Sequence, residues 1–227
     1  MLEPLYLIYP AAALGAYLLG SIPTGFLVAK AKGVDIRVAG SGNIGATNAM
    51  RVLGKPAGIF VLLMDGLKGF AAVWLFPILA GRLYGFIYGD DVKLAGGLDL
   101  KSLQIIAGIG AVLGHNYTCW LKFKGGKGIA TTAGVYLALA PWAVLIALVV
   151  FILAVLVTKY VSVGSIAAAI ALPVAVWILQ PHNLFLGIVT TALGGLAIYK
   201  HKGNIQRLMA GTESRLGKKT SITETTK

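Results

Sequence analysis

Residues 128–158 contain no charged side chain, and the run is interrupted only by Pro141. About 20 apolar residues in a helix are enough to cross the hydrocarbon core of a bilayer. By length alone the run suits one long helix. Its flanks argue otherwise. Lys122, Lys124 and Lys127 precede it and Lys159 follows it. Basic loops stay on the cytoplasmic side of a membrane. To keep both basic groups there, the run must cross and return, with a tight turn near Pro141.

The rest of the chain fits the same pattern. It is 57% hydrophobic and 12% charged, with a mean hydropathy of +0.82. A soluble domain carries about 25% charged residues. The sequence therefore predicts an all-α polytopic membrane protein with about seven transmembrane helices, at 5–29, 57–80, 103–121, 129–141, 142–158, 163–180 and 183–199. Loop 30–55 holds Lys30, Lys32, Arg37, Arg51 and Lys55 against Asp35 alone. The segment from Lys200 onward is also basic, whereas loop 81–102 balances Arg82, Lys93 and Lys101 against Asp90, Asp91 and Asp99. Seven spans, with the N-terminus outside and the C-terminus cytoplasmic, put every basic segment on one side.

This sorting also accounts for the net charge of +12, so no nucleic-acid partner is expected. Met1 to Pro4 has no basic residue and contains Glu3, unlike a secretory signal. The single cysteine, Cys119, excludes an intramolecular disulfide and a cysteine-based metal site. Residues 1–213 read as one membrane-embedded catalytic domain. Residues 214–227 read as a polar, disordered tail, and loop 86–101 as an extracytoplasmic turn without chemistry.

Three polar segments break the apolar pattern. The first is Gly40-Ser-Gly-Asn-Ile-Gly-Ala-Thr-Asn-Ala-Met-Arg51. Its Gly-x-Gly-x-x-Gly spacing matches the dinucleotide fingerprint, but that motif needs a preceding strand, and here a membrane helix precedes it. What remains is a glycine-spaced loop dense in donors. Gly40, Gly42, Asn43, Asn48 and Arg51 suit an anion or polyol. The second is Lys122-Phe-Lys-Gly-Gly-Lys-Gly128. Leu121 and Gly128 stand where a Walker A loop needs Gly and Ser or Thr, so ATP hydrolysis is not indicated. Lys122, Lys124 and Lys127 supply point charges, and Gly125, Gly126 and Gly128 supply open backbone, a combination suited to phosphate. The third is Tyr199-Lys-His-Lys-Gly-Asn-Ile-Gln-Arg207. His201, Asn204 and Arg207 recur at i, i+3 and i+6, and the first two share a helix face. A juxtamembrane basic helix on anionic lipid has the same pattern. Behind the lysine loop, His115 and Asn116 read as supporting hydrogen-bonding groups. Asp65 and Lys68, three apart in the second span, suit a functional intramembrane pair or a structural ion pair equally. Glu213 suits either a base or an anchor for the tail.

At these segments the chain resembles the bacterial acyl-phosphate:glycerol-3-phosphate acyltransferase (PlsY) family. The resemblance rests on Gly20-Ser-Ile-Pro-Thr-Gly25, the 40–51 loop, Asp65-x-x-Lys68-Gly69, residues 115–128, and 199–213 ending Gly211-Thr-Glu213. Thr118 stands where that family has proline. The resemblance implies seven spans, a bacterial inner-membrane location and an active site facing the cytoplasm. It implies synthesis of lysophosphatidic acid, with glycerol-3-phosphate, acyl phosphate and membrane lipids as partners. No cofactor or metal is expected, and a monomer is expected. Residues carried over are Ser41, Arg51, the 122–128 loop, His201 and Asn204, with Ser41, His201 and Asn204 as catalytic residues.

The chemistry suits these residues. Two phosphate groups in one pocket repel each other and need several cations and oriented N–H groups. An acyl phosphate is already activated, so positioning and charge stabilisation can carry most of the barrier. A thioester-dependent acyltransferase of the His-x4-Asp type is disfavoured: Trp120, Gly187 and Gln206 stand five residues after the three histidines. An organic-anion transporter remains the alternative, though transporters place their sites at the midplane of repeated halves, and no repeat is visible here.

Overall fold

The computed structural model describes residues 5–88 and 99–216. Among these the chain is all-helical. The order is α1 (Leu5–Ser21), α2 (Thr24–Ala31), α3 (Ala46–Leu53), α4 (Lys55–Tyr88), α5 (Leu100–Asn116), α6 (Ile129–Leu139), α7 (Pro141–Thr158), α8 (Val161–Leu179), α9 (Leu184–Lys200) and α10 (Lys202–Met209). A 3-10 turn, Cys119–Leu121, follows α5. Most of loop 86–101, and the tail from residue 217, lie outside the described residues.

Among the described residues, four helical stretches are long and apolar enough to cross a membrane: Leu7–Ala31, Lys55–Phe86, Pro141–Thr158 and Val161–Leu179. The α9–α10 pair, bent by 51°, makes a fifth if counted as one span. Helix α6 is apolar but only 11 residues long, about 16 Å at the helical rise. The run from 128 to 158 does break where proline predicts. Ala140 separates α6 from α7, and Pro141 takes the first turn of α7, where its missing N–H costs nothing.

Small residues bring the helices together. On α1 and α5, Gly20, Gly110 and Gly114 lie against backbone of the facing helix. Between α4 and α6, Gly69 and Gly134 do the same. Lipid is as apolar as leucine, so close backbone approach drives helix association in membranes. The central core joins Ala16, Val73, Val112, Tyr136, Ala147, Val176 and Leu193. Helix α7 turns Ile146, Val149, Ile152, Leu153 and Leu156 outward, a face that suits lipid.

One boundary departs from the sequence expectation. The first span is not continuous. It breaks at Ile22 and Pro23, and the freed carbonyls find partners elsewhere. The Thr118 hydroxyl donates to the Ser21 carbonyl at 2.6 Å and Lys68 Nζ to the Ile22 carbonyl at 2.9 Å. Non-helical backbone at membrane depth persists only when protein groups satisfy it in this way. Helix α4 also runs further than expected, to Tyr88, because helix length and apolar length are separate quantities.

Candidate active site

The Asn48 side chain is the hub of loop 33–45. The Asn48 carbonyl oxygen accepts from Ser41 N at 2.8 Å, and its amide donates to the Ala39 and Asn43 carbonyls at 3.0 and 2.8 Å. A third donation reaches the Ile36 carbonyl at 3.4 Å. Gly40 and Gly42 turn this loop with φ of +60° and +70°, a region open to glycine. The loop delivers the chain to α3 with no side-chain cap on its first turn. Helices α6 and α8 likewise begin without a side-chain cap.

These three uncapped ends share one cavity of about 150 Å³. Gly45, Ala46 and Thr47 line it from α3, Gly128, Ile129 and Ala130 from α6, and Val161, Ser162 and Ser165 from α8. Free N–H groups and the helix dipole make each such end favourable for an anion. Two cations join them, Arg51 and Lys127. Ser41, Asn43, Asn48, His115, His201, Asn204 and Glu213 complete the polar wall.

The C-terminal part of the wall is a hydrogen-bonded chain. Lys127 Nζ donates to Asn204 Oδ1. Asn204 Nδ2 donates to Glu213 Oε1 at 2.6 Å, and Ser162 Oγ to the same oxygen at 2.8 Å. Arg207 Nε reaches Glu213 Oε2 at 2.7 Å. Burial works against the Glu213 carboxylate, but the bonds from Asn204, Arg207 and Ser162 outweigh it and hold its pKa below the usual value. Glu213 is thus held ionised, with Asn204, Arg207 and Ser162 gathered on its two oxygens. Lys127 is the opposite case. Burial, with the nearby Arg207 and Arg51 cations, lowers its pKa to about 8. Burial also lowers His201 to about 4, despite the bond between its Nδ1 and the Ala197 carbonyl at 2.7 Å. At neutral pH the ring is uncharged. Its Nδ1–H is spent on that carbonyl, leaving Nε2 as the acceptor.

The remaining sequence-predicted residues are placed differently. Gly40, Gly42, Lys122, Lys124, Gly125, Gly126, Asn116 and Arg207 do not line the cavity. Lys122 and Lys124 are exposed. Gly125 N donates to the Asn116 carbonyl at 3.2 Å and Gly126 N to the His115 carbonyl at 2.9 Å. Their N–H groups therefore fasten the loop to α5. Any side chain on either glycine would collide with His115. Asn116 also receives Lys200 Nζ on its carbonyl at 2.9 Å. Ser162 and Ser165 were missed by the sequence reading. The available signal was two serines in the first turns of an apolar helix directly after Lys159 and Tyr160. Asp65 was not assigned to the site either, yet it lines the cavity floor beside His115.

A second, apolar cavity of about 280 Å³ adjoins the first. It lies among α6, α7, α8 and α9, and includes Val144, Leu148, Ala168, Leu172 and Leu193. Leu62, Ile129, Ala130 and Phe151 line both.

Residues 10–211 match the family model described as glycerol-3-phosphate acyltransferase. The chain belongs to the glycerol-3-phosphate acyltransferase family. A glycerol-3-phosphate acyltransferase of Geotalea daltonii is 45% identical over 202 residues, covering 88% of this chain and 94% of that protein. One of Geobacter metallireducens is 52% identical over 201 residues, with the same coverage. A crystal structure of PlsY, an integral membrane glycerol 3-phosphate acyltransferase in its glycerol 3-phosphate form, superposes with a TM-score of 0.77 at 37% identity. That comparison covers 92% of this chain and 96% of the other.

Proposed function

We propose that this acyltransferase moves a fatty acyl group from acyl phosphate to the sn-1 hydroxyl of glycerol-3-phosphate, directly and on the cytoplasmic side of the inner membrane. The observation that carries this is the pairing of cavities. One is polar, cationic and faced by three helix N-termini, and the other is apolar and shares the wall formed by Leu62, Ile129, Ala130 and Phe151 with it. Phosphate groups suit the first and an acyl chain the second. The hydroxyl oxygen bonds to the acyl carbon as the carbon–oxygen bond to phosphate breaks. Phosphate leaves with that electron pair, and the hydroxyl proton passes to a phosphate oxygen or to His201 Nε2.

Arg51, Lys127 and the helix ends hold the two phosphates and offset their repulsion. Ser41 and Asn204 orient the substrates. Direct transfer is supported by the lack of an activated nucleophile: among the described residues, no histidine or carboxylate is hydrogen-bonded to the Ser41 hydroxyl. Cys119 lies outside the cavity. A mixed anhydride gains little from a covalent intermediate.

The same cavity supports seven crossings with a cytoplasmic C-terminus. Its walls come from 41–51, 127–130, 161–165 and 201–214, with Leu62, Asp65, His115 and Phe151 added from the helices between them. Two helices separate each consecutive pair: α4 and α5, the short α6 with α7, and α8 and α9. Each pair leaves and returns, and α1–α2 adds the first crossing.

The test is incubation of purified protein with labelled acyl phosphate alone, followed by acid quenching. We expect no protein-bound label. A stoichiometric adduct that glycerol-3-phosphate discharges would overturn direct transfer. Full activity with acyl-CoA and none with acyl phosphate would overturn the donor.

A further inference from the structure

Asp65, Lys68 and His115 are only 2%, 6% and 5% exposed. An ion pair so deeply buried is no bargain for stability, since desolvation consumes most of the attraction. Its placement is more informative than its energy. Lys68 Nζ lies 2.8 Å from Asp65 Oδ1 and donates to the Ile22 carbonyl at the break in the first helix. On the other side, His115 Nδ1 lies 3.6 Å from the same Asp65 oxygen. The far edge of the imidazole, at Nε2, abuts Gly126, where no side chain would fit. Gly126 N is bonded to the His115 carbonyl. The next residue is Lys127, whose ammonium enters the cavity wall at Asn204.

We propose that His115, oriented by the Asp65–Lys68 pair, is a positioning residue that holds Gly126 and thereby fixes Lys127 against the substrate phosphates. The proposal rests on the functional reading above for what Lys127 contacts. It explains why Gly126 must be bare although it does not line the cavity; Gly125 is bare because it packs on the His115 and Asn116 backbone. It also connects three motifs far apart in sequence: the broken first helix, the Asp65-x-x-Lys68 turn and the lysine loop. The ring is the platform beneath Gly126; the Asp65 carboxylate faces its Nδ1 at 3.6 Å, a charge contact rather than a hydrogen bond, and Lys68 in turn pairs with that carboxylate.

The test is a double-mutant cycle in the full-length protein, between Lys127→Ala and His115→Ala, with Asp65→Asn measured alongside. Activity is read as kcat and KM for each substrate and as the alkaline limb of kcat/KM. Charged and titratable groups around Lys127 are Arg51, His201, Arg207 and Glu213, with Asp65 and His115 on the cavity floor. We expect His115→Ala to lower kcat/KM about tenfold or more, a loss of the size seen when a supporting partner is removed. The alkaline limb should move above pH 8, because a loosened Lys127 regains water. Asp65→Asn should move both in the same direction by less. In the Lys127→Ala background, His115→Ala should cost little more, since residues that act as a unit are not additive.

Additive losses, or an unmoved alkaline limb in His115→Ala, would overturn the proposal. So would failure of both His115→Ala and Asp65→Asn to give folded protein, because that outcome makes the group scaffold alone. Should Lys127→Ala itself leave activity intact, the functional reading fails instead, and the two failures are told apart by that single variant.

Discussion

Lys127 carries a charge that the protein makes costly. Burial and two neighbouring cations hold its pKa near 8, so the lysine loses its proton in the free enzyme as pH rises through that value. The kcat/KM profile should be flat below pH 8 and fall above it. A profile still rising at pH 9.5 would remove the requirement for the cation. The same residue separates site from surface. A hydrogen bond to a charged group is worth about 1.5–3 kcal/mol. Lys127→Ala and Arg51→Ala should therefore each lower catalytic efficiency about ten- to a hundredfold or more, whereas Lys122→Ala and Lys124→Ala should cost under twofold. Equal losses at all four positions would indicate general membrane electrostatics. The nearness of His201 and Asn204 was legible from their spacing of three: His201 takes the N-cap position of α10, Asn204 lies in its first turn, and both line the cavity. The hub role of Asn48 was not, since its partners at Ile36, Ala39 and Asn43 exist only once the loop has closed. Gly125 and Gly126 read as anion cradles for the same reason: the α5 carbonyls that take their N–H groups are invisible in a linear motif.

Among the elements, the first helix shows where sequence reading stops. Hydropathy runs unbroken through residues 5–29, and proline in a membrane helix is compatible with a kink or a break. What selects the break is tertiary: Thr118 and Lys68 are available to bond the Ser21 and Ile22 carbonyls. Lys68→Met should destabilise the protein strongly. It leaves Asp65 buried beside His115 without its ammonium partner, a loss of about 3–5 kcal/mol, and leaves the Ile22 carbonyl only the bond from Thr24 N at 3.1 Å. Thermal unfolding in detergent checks this, with Lys101→Met, an exposed site on α5, as the comparison. Matching midpoints would show that the pair contributes nothing to the break. The Pro141 boundary, in contrast, was legible because charge on both flanks demanded a return and proline marks a helix start. The early serines of α8 were overlooked because hydropathy averages treat them as part of a span.

At the scale of the whole molecule, basic residues sorted the chain into sides, and the cavity then gathered the same segments. Two helices between each pair of cavity walls are what the proposed seven-span orientation requires. In a Cys119→Ser background, a cysteine at His182, exposed in the α8–α9 turn, should react with an impermeant thiol reagent added outside intact cells. One at Lys202, exposed beside the cavity, should react only after permeabilisation. Labelling of both from one side would dismantle the seven-span arrangement. Residues 214–216, expected to belong to the disordered tail, are instead docked on the start of α8: Leu216 N donates to the Lys159 carbonyl at 2.8 Å and Arg215 Nε to the Tyr160 hydroxyl at 3.1 Å. The polar composition after Glu213 gave no hint of this docking, which depends on the start of α8 being nearby.

The central claim is that one cavity holds both phosphates and joins the acyl group to glycerol-3-phosphate. Purified wild-type protein and its Lys127→Ala variant, given labelled glycerol-3-phosphate and a long-chain acyl phosphate, test it most directly. The account expects labelled lysophosphatidic acid from the wild type and a rate lower by about ten- to a hundredfold or more from the variant. Uptake of unmodified glycerol-3-phosphate into vesicles without product, or equal rates from both proteins, would contradict it.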